Sequence, residues 1–420
     1  MQTVSITGIG SHLQGVGRLA DGRVAFVPFA IPGEVVQVEL ERERDRFVQA
    51  RLVRVLEPSP ERVPSDCPAF GACGGCQARH MTYEATLQWK RRRVADALER
   101  IAGLDPGLVA PTLGMEDPLR CRNKVEFCVQ GGRVGMLRGG SHEIVPVEDC
   151  LLQTLPSARA IAALAEADLR SLRQIVTRVN RRGEVMLTLC GAGAEPPVAR
   201  ARDVDSLYYC RLAPRPAHAL DGVCRRLAGK ERLEETLLGL RFLLHPQSFF
   251  QVNAAQAERL YQIALEAVEG AGTVLDVYCG AGTITLLLAR AHERAVGVEL
   301  CAPAVADARE NARANGLADR VQFVHADAAH AVPQLTAAGT RFDAAILDPP
   351  RRGADARVLA AVADAAVQTV AYISCDPATL ARDLKILGAR GYAVQSAQPL
   401  DMFAYTGHVE TIVSLHRKSL

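Results

Sequence analysis

The sequence predicts a multidomain protein: a small N-terminal β-barrel, a central α+β domain and a C-terminal α/β domain with a parallel sheet. Short Val- and Ile-rich segments separated by turn pairs fill about the first 56 residues. Strand-like runs without regular alternation continue to residue 244, and after Gly270 strand patterns alternate with Ala- and Leu-rich helical patterns. At 420 residues the chain also exceeds the size of one ordinary hydrophobic core.

The composition is typical of a soluble globular protein, with 49% apolar and 23% charged residues. The formal net charge is only +2, so attraction to nucleic acid would have to come from a local basic surface. The sequence has no secretory signal pattern and no apolar stretch long enough to cross a bilayer. We therefore expect a cytoplasmic protein with mostly reduced thiols, and we expect it to act as a monomer.

The first predicted domain spans residues 1–58. Turn pairs such as Asp21-Gly22 and Pro32-Gly33 lie between short apolar segments and favour hairpins, which can close into a small antiparallel barrel. The stretch 57–64 then holds three prolines in eight residues. Proline blocks helix and favours extended backbone, so this stretch is predicted to be a linker.

The second predicted domain spans residues 59–244 and has mixed α+β character. An amphipathic helix over 84–103 is expected to pack on the C-terminal domain. Its basic run, residues 90–93, could contact phosphates or simply form a solvated face. The remaining strand-like runs show no clear alternation with helices.

The third predicted domain spans residues 245–420, and its first strand leads into a glycine loop with Gly280 and Gly282. Glycines at such a turn let the backbone pass close to a ligand at a helix N-terminus, although a turn used only for packing is the alternative. The loop lacks the third glycine of a dinucleotide site and the lysine of a phosphate loop. An adenosine without phosphates fits better, and S-adenosylmethionine is the expected cofactor.

Acidic residues end the neighbouring strands of this domain. Glu299 ends the second strand about 20 residues after the glycine loop, where a carboxylate can accept hydrogen bonds from ribose hydroxyls. Asp327 ends the third strand and is placed to meet the adenine amine. Asp348 ends the fourth strand and is expected to face both cofactor and substrate.

Cys375 ends the fifth strand, at the edge of the sheet where ligands bind. Carbon 5 of a pyrimidine is a poor nucleophile until a thiolate adds to carbon 6, so methylation at this carbon requires a cysteine. Arg351 follows Asp348-Pro-Pro where enzymes that methylate amino groups often carry an aromatic residue. The pattern therefore favours carbon methylation over a buried structural thiol.

A proton must leave carbon 5 after methyl transfer, and a carboxylate in a partly dry site is suited to accept it. Glu410 is the candidate, because it stands in a late, otherwise apolar strand pattern. A solvated glutamate at a strand end is the alternative interpretation.

Three cysteines, Cys67, Cys73 and Cys76, lie together on a glycine-rich segment and could ligate one metal centre with a fourth ligand. Cys150 is the expected fourth ligand, with Cys121 and Cys128 as competitors. Zinc and a [4Fe-4S] cluster both accept four thiolates, and the spacing does not decide between them.

Four segments, 276–282, 347–351, 374–377 and 408–413, together resemble the RNA uridine-5 methyltransferase family, and the likeness spans nearly the full length. The resemblance implies Cys375 as nucleophile and Glu410 as proton acceptor. It also implies that S-adenosylmethionine is contacted by four residues, Gln251, Tyr278, Glu299 and Asp348. Asp327 stands where the family varies.

The same resemblance implies a [4Fe-4S] cluster in preference to zinc at the cysteines of the central domain. The N-terminal barrel is similar to the TRAM module, an oligonucleotide-binding-like barrel, and the C-terminal domain is expected to be Rossmann-like. RNA is the implied partner, with 23S rRNA favoured over tRNA and the target uridine turned out of its stack. Two alternatives stay open: a cytosine-5 RNA methyltransferase, and a non-catalytic RNA-binding iron–sulfur assembly factor.

Overall fold

The N-terminal barrel is closed by five strands, as the sequence predicts. The computed structural model describes residues 1–193 and 204–418. Strand order around the barrel is β1-β2-β3-β5-β4, and β4 pairs with β1 to complete the circle. Val4, Ile6 and Val38 point into its core, because alternate residues of each strand face inward. The strands are β1 Gln2–Ile9, β2 Gly15–Arg18, β3 Val24–Val27, β4 Val35–Glu43 and β5 Phe47–Glu57.

One helix connects the barrel to the C-terminal domain: α1, Tyr83–Ala97, which begins at the Thr82 cap and continues into a helical turn, Leu98–Ala102. Its apolar side, including Val94 and Leu98, lies in the core of the C-terminal domain. This contact agrees with the packing expected for the helix over 84–103.

The basic run on α1 is only partly solvated: Arg91 and Arg92 are exposed, whereas Lys90 is not. Lys90 is fully buried and forms an ion pair with Asp401, and its Nζ also donates to the backbone oxygen of Phe403 at 2.9 Å. A buried ammonium needs such partners, since desolvation otherwise disfavours its charge. Lys90 is therefore unavailable to phosphates, whereas Arg92 is exposed.

The central domain is a seven-stranded mixed sheet in the order β12-β11-β10-β9-β6-β7-β8. Only β10 and β11 pair in parallel in this sheet, which agrees with the absence of regular strand–helix alternation in the sequence. Within the described part of this region, one α-helix, α2 (Leu155–Ala162), packs on β9 and β10. The strands are β6 Lys124–Gln130, β7 Arg133–Leu137, β8 Ile144–Pro146, β9 Leu172–Val179, β10 Val185–Gly191, β11 Ser206–Leu212 and β12 Gly222–Gly229.

A hairpin precedes the C-terminal sheet: β13, Leu233–Leu237, and β14, Leu240–Leu244. Its apolar residues, such as Phe242, share a hydrophobic core with the C-terminal domain. The core of that domain thus includes residues that precede the boundary expected at residue 245.

The C-terminal domain is a seven-stranded sheet in the order β17-β16-β15-β18-β19-β21-β20. The first five strands in chain order are parallel, and β21 lies antiparallel between β19 and β20. No helix in the described residues is long and apolar enough to cross a membrane. The strands are β15 Thr273–Val277, β16 Arg294–Glu299, β17 Val321–His325, β18 Ala344–Leu347, β19 Thr369–Ser374, β20 Tyr392–Leu400 and β21 Glu410–Arg417. The helices are α3 Ala254–Glu266, α4 Thr283–Ala291, α5 Ala302–Ala314, α6 Ala328–Ala337, α7 Ala356–Asp364 and α8 Pro377–Ala389.

Candidate active site

The glycine loop lies between β15 and α4, at the carboxyl end of the first strand of the parallel sheet. The backbone N–H groups of Tyr278 and Cys279 donate to the Val298 oxygen at 3.0 and 3.2 Å, which ties the loop to β16. Tyr278 has a φ of +69°, a conformation that costs a non-glycine residue energy. Such strain is typical of a functional turn held by its surroundings.

The two predicted glycines of this loop serve different purposes. Gly280 has a φ of +53° and a methyl group there would meet nothing within 4 Å, so its backbone faces open space. Gly282 has a φ of +82°, and a methyl group there would lie 3.0 Å from Ala308 and from Phe323. Gly282 thus permits the close packing of the loop, while Gly280 leaves room for a ligand.

Glu299 lies directly beside the glycine loop. Its carboxylate accepts hydrogen bonds from the Gly280 N–H at 3.1 Å and from the Cys301 N–H at 2.7 Å. Asp327 is the N-cap of α6 and accepts from the Ala329 N–H at 2.9 Å. Both carboxylates are fixed at the same edge of the sheet, which fits the contacts predicted for a ribose and an adenine.

Asp276 is a site residue that sequence reasoning did not select, although a carboxylate within an apolar strand was the available signal. It is fully buried, and Thr285 Oγ1 donates to it at 2.6 Å. Burial, with a contribution from Asp348, raises its pKa to about 7. Its Oδ1 has no partner among the described residues, so the loop retains a buried polar atom that a bound ligand could satisfy.

Gln251 lies just before α3 and is 8% exposed. Asn123 Nδ2 donates to its backbone oxygen at 3.2 Å, and its side chain hydrogen-bonds with the hydroxyl of Tyr261. Tyr261, on α3, is a second residue that sequence reasoning missed, because its helical spacing resembles that of a core residue. Burial and then the charge of Asp348 raise the pKa of Tyr261, so its hydroxyl stays protonated near this carboxylate.

The two predicted catalytic residues lie at the ends of adjacent strands. Cys375 is half-buried between β19 and α8, and Glu410 is 5% exposed at the start of β21. Ser374 pairs with Thr411 in the antiparallel ladder between β19 and β21. Cys375 follows Ser374 and Glu410 precedes Thr411, so the ladder brings these two residues together. The structure therefore places Cys375 and Glu410 at one point, 35 residues apart in the chain.

The electrostatics of this group favour protonated forms. Burial raises the pKa of Cys375 to about 11, and Glu410 adds to this shift while Arg351 opposes it. Burial and the charge of Asp348 raise the pKa of Glu410 to about 8, and burial raises the pKa of Asp348 to about 7. A positively charged ligand would favour their ionised forms, since opposite charge offsets the cost of burial.

The four cysteines expected to hold a metal centre are partly exposed free thiols. Burial raises the pKa of Cys76 to about 12, with contributions from Cys150 and Cys73, so these thiols lie within electrostatic range of one another. The pKa of Cys128 is raised by burial and Glu126 alone. This grouping favours Cys150 over Cys128 as the fourth ligand. Within the described ranges, however, no group of three or more His, Cys, Asp or Glu residues is arranged to hold a metal ion.

Comparisons with known protein families identify a domain at each end of the chain. Residues 230–418 match the family model described as tRNA (uracil-5-)-methyltransferase, and residues 1–53 match the TRAM domain. An uncharacterized RNA methyltransferase of Halalkalibacterium halodurans is 36% identical over 95% of this chain and 93% of its own length. One of Listeria innocua is also 36% identical, over 99% of this chain and 97% of its own length.

A solved structure resembles the whole chain. The tRNA (uracil-54, C5)-methyltransferase of Pyrococcus abyssi, in complex with S-adenosyl-L-homocysteine, is 28% identical and superposes with a TM-score of 0.81. The match covers 99% of this chain and 100% of that one. The prediction of an N-terminal TRAM barrel and a C-terminal methyltransferase fold is confirmed. The chain belongs to the S-adenosylmethionine-dependent RNA uracil-5 methyltransferase family.

Proposed function

We propose that the protein methylates carbon 5 of a specific uridine in RNA through a covalent bond between Cys375 and the uracil ring. The observation that supports this most directly is the meeting of Cys375 and Glu410, beside Asp348, at one edge of the C-terminal sheet. A thiol nucleophile and a separate carboxylate are the two groups that methylation of a pyrimidine carbon requires.

The proposed reaction begins with the Cys375 thiolate. Its sulfur bonds to carbon 6 of the uracil, and the electron pair of the 5,6 double bond becomes an enolate that makes carbon 5 nucleophilic. S-adenosylmethionine supplies the methyl group as an electrophile. Glu410 then accepts the proton from carbon 5, and the returning electron pair expels the Cys375 thiolate.

The pKa of Glu410 suits its proposed step. A base whose pKa is about 8 can accept a proton near neutral pH and release it again, because catalytic efficiency is greatest when the pKa lies near the working pH. Arg351 lowers the pKa of the Cys375 thiol, but burial and the charge of Glu410 outweigh it and leave that pKa at about 11. Arg351 is therefore proposed to stabilise the thiolate in part, and the positive charge of a bound sulfonium would favour ionisation further.

The cofactor residues are proposed from their positions around the glycine loop. Glu299 would accept from the ribose hydroxyls and Asp327 from the adenine amine, while Gly280 leaves the space between them open. Gln251, Tyr278 and Asp348 would contact the amino-acid part or the sulfonium. The unpartnered Oδ1 of Asp276 fits a cationic ligand at this edge.

The experiment that tests the function combines label transfer with product identification. The protein is incubated with methyl-labelled S-adenosylmethionine and unmodified RNA, and the RNA is digested to nucleosides that are separated by chromatography. Labelled 5-methyluridine is expected. Labelled 5-methylcytosine would support the cytosine-5 alternative, and no label in any nucleoside would support the non-catalytic factor.

The target RNA is proposed to be 23S rRNA. The second candidate is tRNA, because the Pyrococcus abyssi relative is named for a tRNA position. Fractionating rRNA from tRNA before the label is counted separates the two, and mapping the labelled nucleotide identifies the uridine.

We also propose that Cys67, Cys73, Cys76 and Cys150 hold a [4Fe-4S] cluster, with zinc as the alternative. The support is the electrostatic proximity of these thiols and the donor chemistry, since four thiolates suit either centre. Protein purified without oxygen should show a broad visible absorption band and contain iron. The variant Cys76→Ser should lose the band, whereas Cys301→Ser, at an exposed cysteine, should keep it. A colourless protein that contains zinc would support the alternative.

A further inference from the structure

A cleft of about 700 Å³ lies between the N-terminal barrel and α1, and it is also lined by the start of α8. We call it the barrel–helix cleft. One wall is the barrel segment 8–11, and the opposite wall is α1, with Trp89, Arg92 and Arg100. Pro377 and Ala378, at the start of α8, close one end.

One end of the cleft is close along the chain to the nucleophile. Ala378 is three residues after Cys375, so their Cα atoms are at most about 11 Å apart. Gly407, three residues before Glu410, lies between the two walls, because a methyl group there would be 3.6 Å from the Ser11 oxygen and 3.7 Å from Cη2 of Trp89. A ligand at the Ala378 end of the cleft would therefore lie within about 11 Å of the Cys375 backbone.

The chemistry of the walls fits a nucleotide. The interior is largely apolar, with Ile9, Ile31, Met81 and Trp89, and such a surface can bury a base. Cations lie along α1. Arg92 is exposed and has no ion-pair or hydrogen-bond partner among the described residues, while the side chain of Arg100 is 74% exposed and lies 3.6 Å from Asp96.

A third cation links the cleft to the nucleophile. The guanidinium of Arg93 lies 5.7 Å from the centre of the Trp89 ring and 3.9 Å from the carboxylate of Asp376, the residue after Cys375. It also donates to the Gly407 oxygen. Arg93 is thus held by the protein itself, which leaves Arg92 and Arg100 as the cations that face outward.

We propose that the barrel–helix cleft holds a nucleotide that flanks the target uridine, with its base on the apolar wall near Trp89 and its phosphate at Arg92 and Arg100. This inference rests on the proposed function and adds a subsite to it. It means that the barrel and α1 together read the strand beside the uridine, while the C-terminal sheet takes the uridine itself.

Trp89 makes the inference testable, because it is the only tryptophan in the chain. A base that packs near its indole should change its fluorescence. Unmodified RNA, the substrate of the label-transfer experiment, is titrated as separate rRNA and tRNA fractions into the full-length protein, and the emission is recorded. We expect saturable quenching, and we expect it to follow RNA binding measured by filter retention.

The matched variants remove two positive charges in each case. Arg92→Gln with Arg100→Gln should raise the apparent Kd for RNA about tenfold and lower the salt dependence of binding by about two counterions. The control, Arg170→Gln with Arg390→Gln, changes two arginines that pair with Asp168 and Asp364 away from the cleft, and its Kd should stay within about twofold of wild type. Affinity for S-adenosylmethionine should be unchanged in both.

Two outcomes would overturn the inference: RNA that saturates the protein without changing Trp89 emission, or cleft variants that bind RNA as tightly as the control. Either result could occur while wild-type protein still forms 5-methyluridine, and the proposed function would then stand without this subsite. Conversely, quenching without any methylated uridine would contradict the function and leave only an RNA-binding cleft.

Discussion

The catalytic edge of the C-terminal sheet and the cysteine segment 67–76 are both built around glycine turns, yet they are organised differently. At the catalytic edge, Cys375 and Glu410 stand at the ends of paired strands, so the ladder determines their separation. The cysteine segment is held by a few backbone hydrogen bonds, such as Gly74 N–H to the Leu137 oxygen at 2.8 Å. The sheet thus fixes its reactive groups through paired strands, while the cysteine segment is held by fewer contacts between loops.

The two regions are joined by the segment 401–407, which precedes Glu410. On the catalytic side, Asp401 pairs with the buried Lys90. On the cysteine side, the Tyr405 oxygen accepts from the N–H groups of Gln77 and Ala78, and Arg79 lies over its ring at 4.5 Å. Segment 401–407 therefore contacts both regions, Lys90 through Asp401 and the cysteine side through Tyr405.

The largest effect is expected from Cys375→Ala. Removing the nucleophile should lower methyl transfer by about 10⁴-fold or more, because the addition to carbon 6 that activates carbon 5 is lost. Affinity for S-adenosylmethionine and the melting temperature should change little. Transfer of labelled methyl to RNA is the measurement, and Cys301→Ser, at an exposed thiol, is the control. Residual activity of Cys375→Ala above one part in a hundred would contradict the covalent mechanism.

Glu410→Gln should lower turnover by about 10²- to 10⁴-fold, since the proton on carbon 5 then has no acceptor. Unlike Cys375→Ala, this variant should accumulate the bond between protein and RNA. A protein–RNA species that survives denaturing electrophoresis is the expected signature. Glu269→Gln, at an exposed glutamate, should turn over normally. If Glu410→Gln shows no trapped species and normal turnover, another group accepts the proton.

Lys90→Met tests the segment that links the two regions. It leaves the Asp401 carboxylate buried without its cation, which should cost about 3–5 kcal/mol of folding free energy. Chemical denaturation measures the loss, and Lys385→Met, at an exposed position on α8, should cost little. Adding Asp401→Leu should recover part of the stability. A cost for Lys90→Met no larger than that of Lys385→Met would show that this ion pair does not hold the segment.

The smallest effect is a pH dependence of stability at the catalytic edge. Burial raises the pKa of Glu410 from 4.5 to about 8, so the folded state holds a proton that the unfolded state releases. Its contribution is therefore fully present below about pH 4.5 and is lost as the pH rises towards 8. Denaturation of the ligand-free protein at several pH values should show a flatter profile for Glu410→Gln. An unchanged profile would mean that Glu410 ionises normally.

Much of the catalytic edge could be predicted from the sequence, because buried parallel strands appear as apolar runs and the polar residues that follow these runs lie at one edge of the sheet. Glu299, Asp348 and Cys375 were found in this way, and the structure brings them to one edge. Gln251 came only from the family resemblance. Nothing in its local pattern separates it from an ordinary strand-end residue.

The other features of the site depend on contacts between segments that are distant in the chain, and local sequence patterns cannot predict such contacts. The run at 90–93 is expected either to contact phosphates or to form a solvated face, yet Lys90 is buried and pairs with Asp401, 311 positions away. Tyr261 has the spacing of a core residue, and only the fold shows its hydroxyl meeting Gln251. The thiols of the cysteine segment are close in sequence, but their spacing does not determine how the backbone orients each sulfur.

The antiparallel placement of β21 has a consequence for how activity can fail. Side chains along a strand alternate between the two faces of the sheet, so a shift of β21 by one residue against β19 would turn Glu410 away and present Thr411 instead. Such a slip would also exchange the side chains that pack in the cores on the two faces of the sheet, Ile412 on one face and Val413 and Leu415 on the other. Substitutions far along β21 that loosen this register should therefore lower stability and turnover together, although they touch neither reacting group.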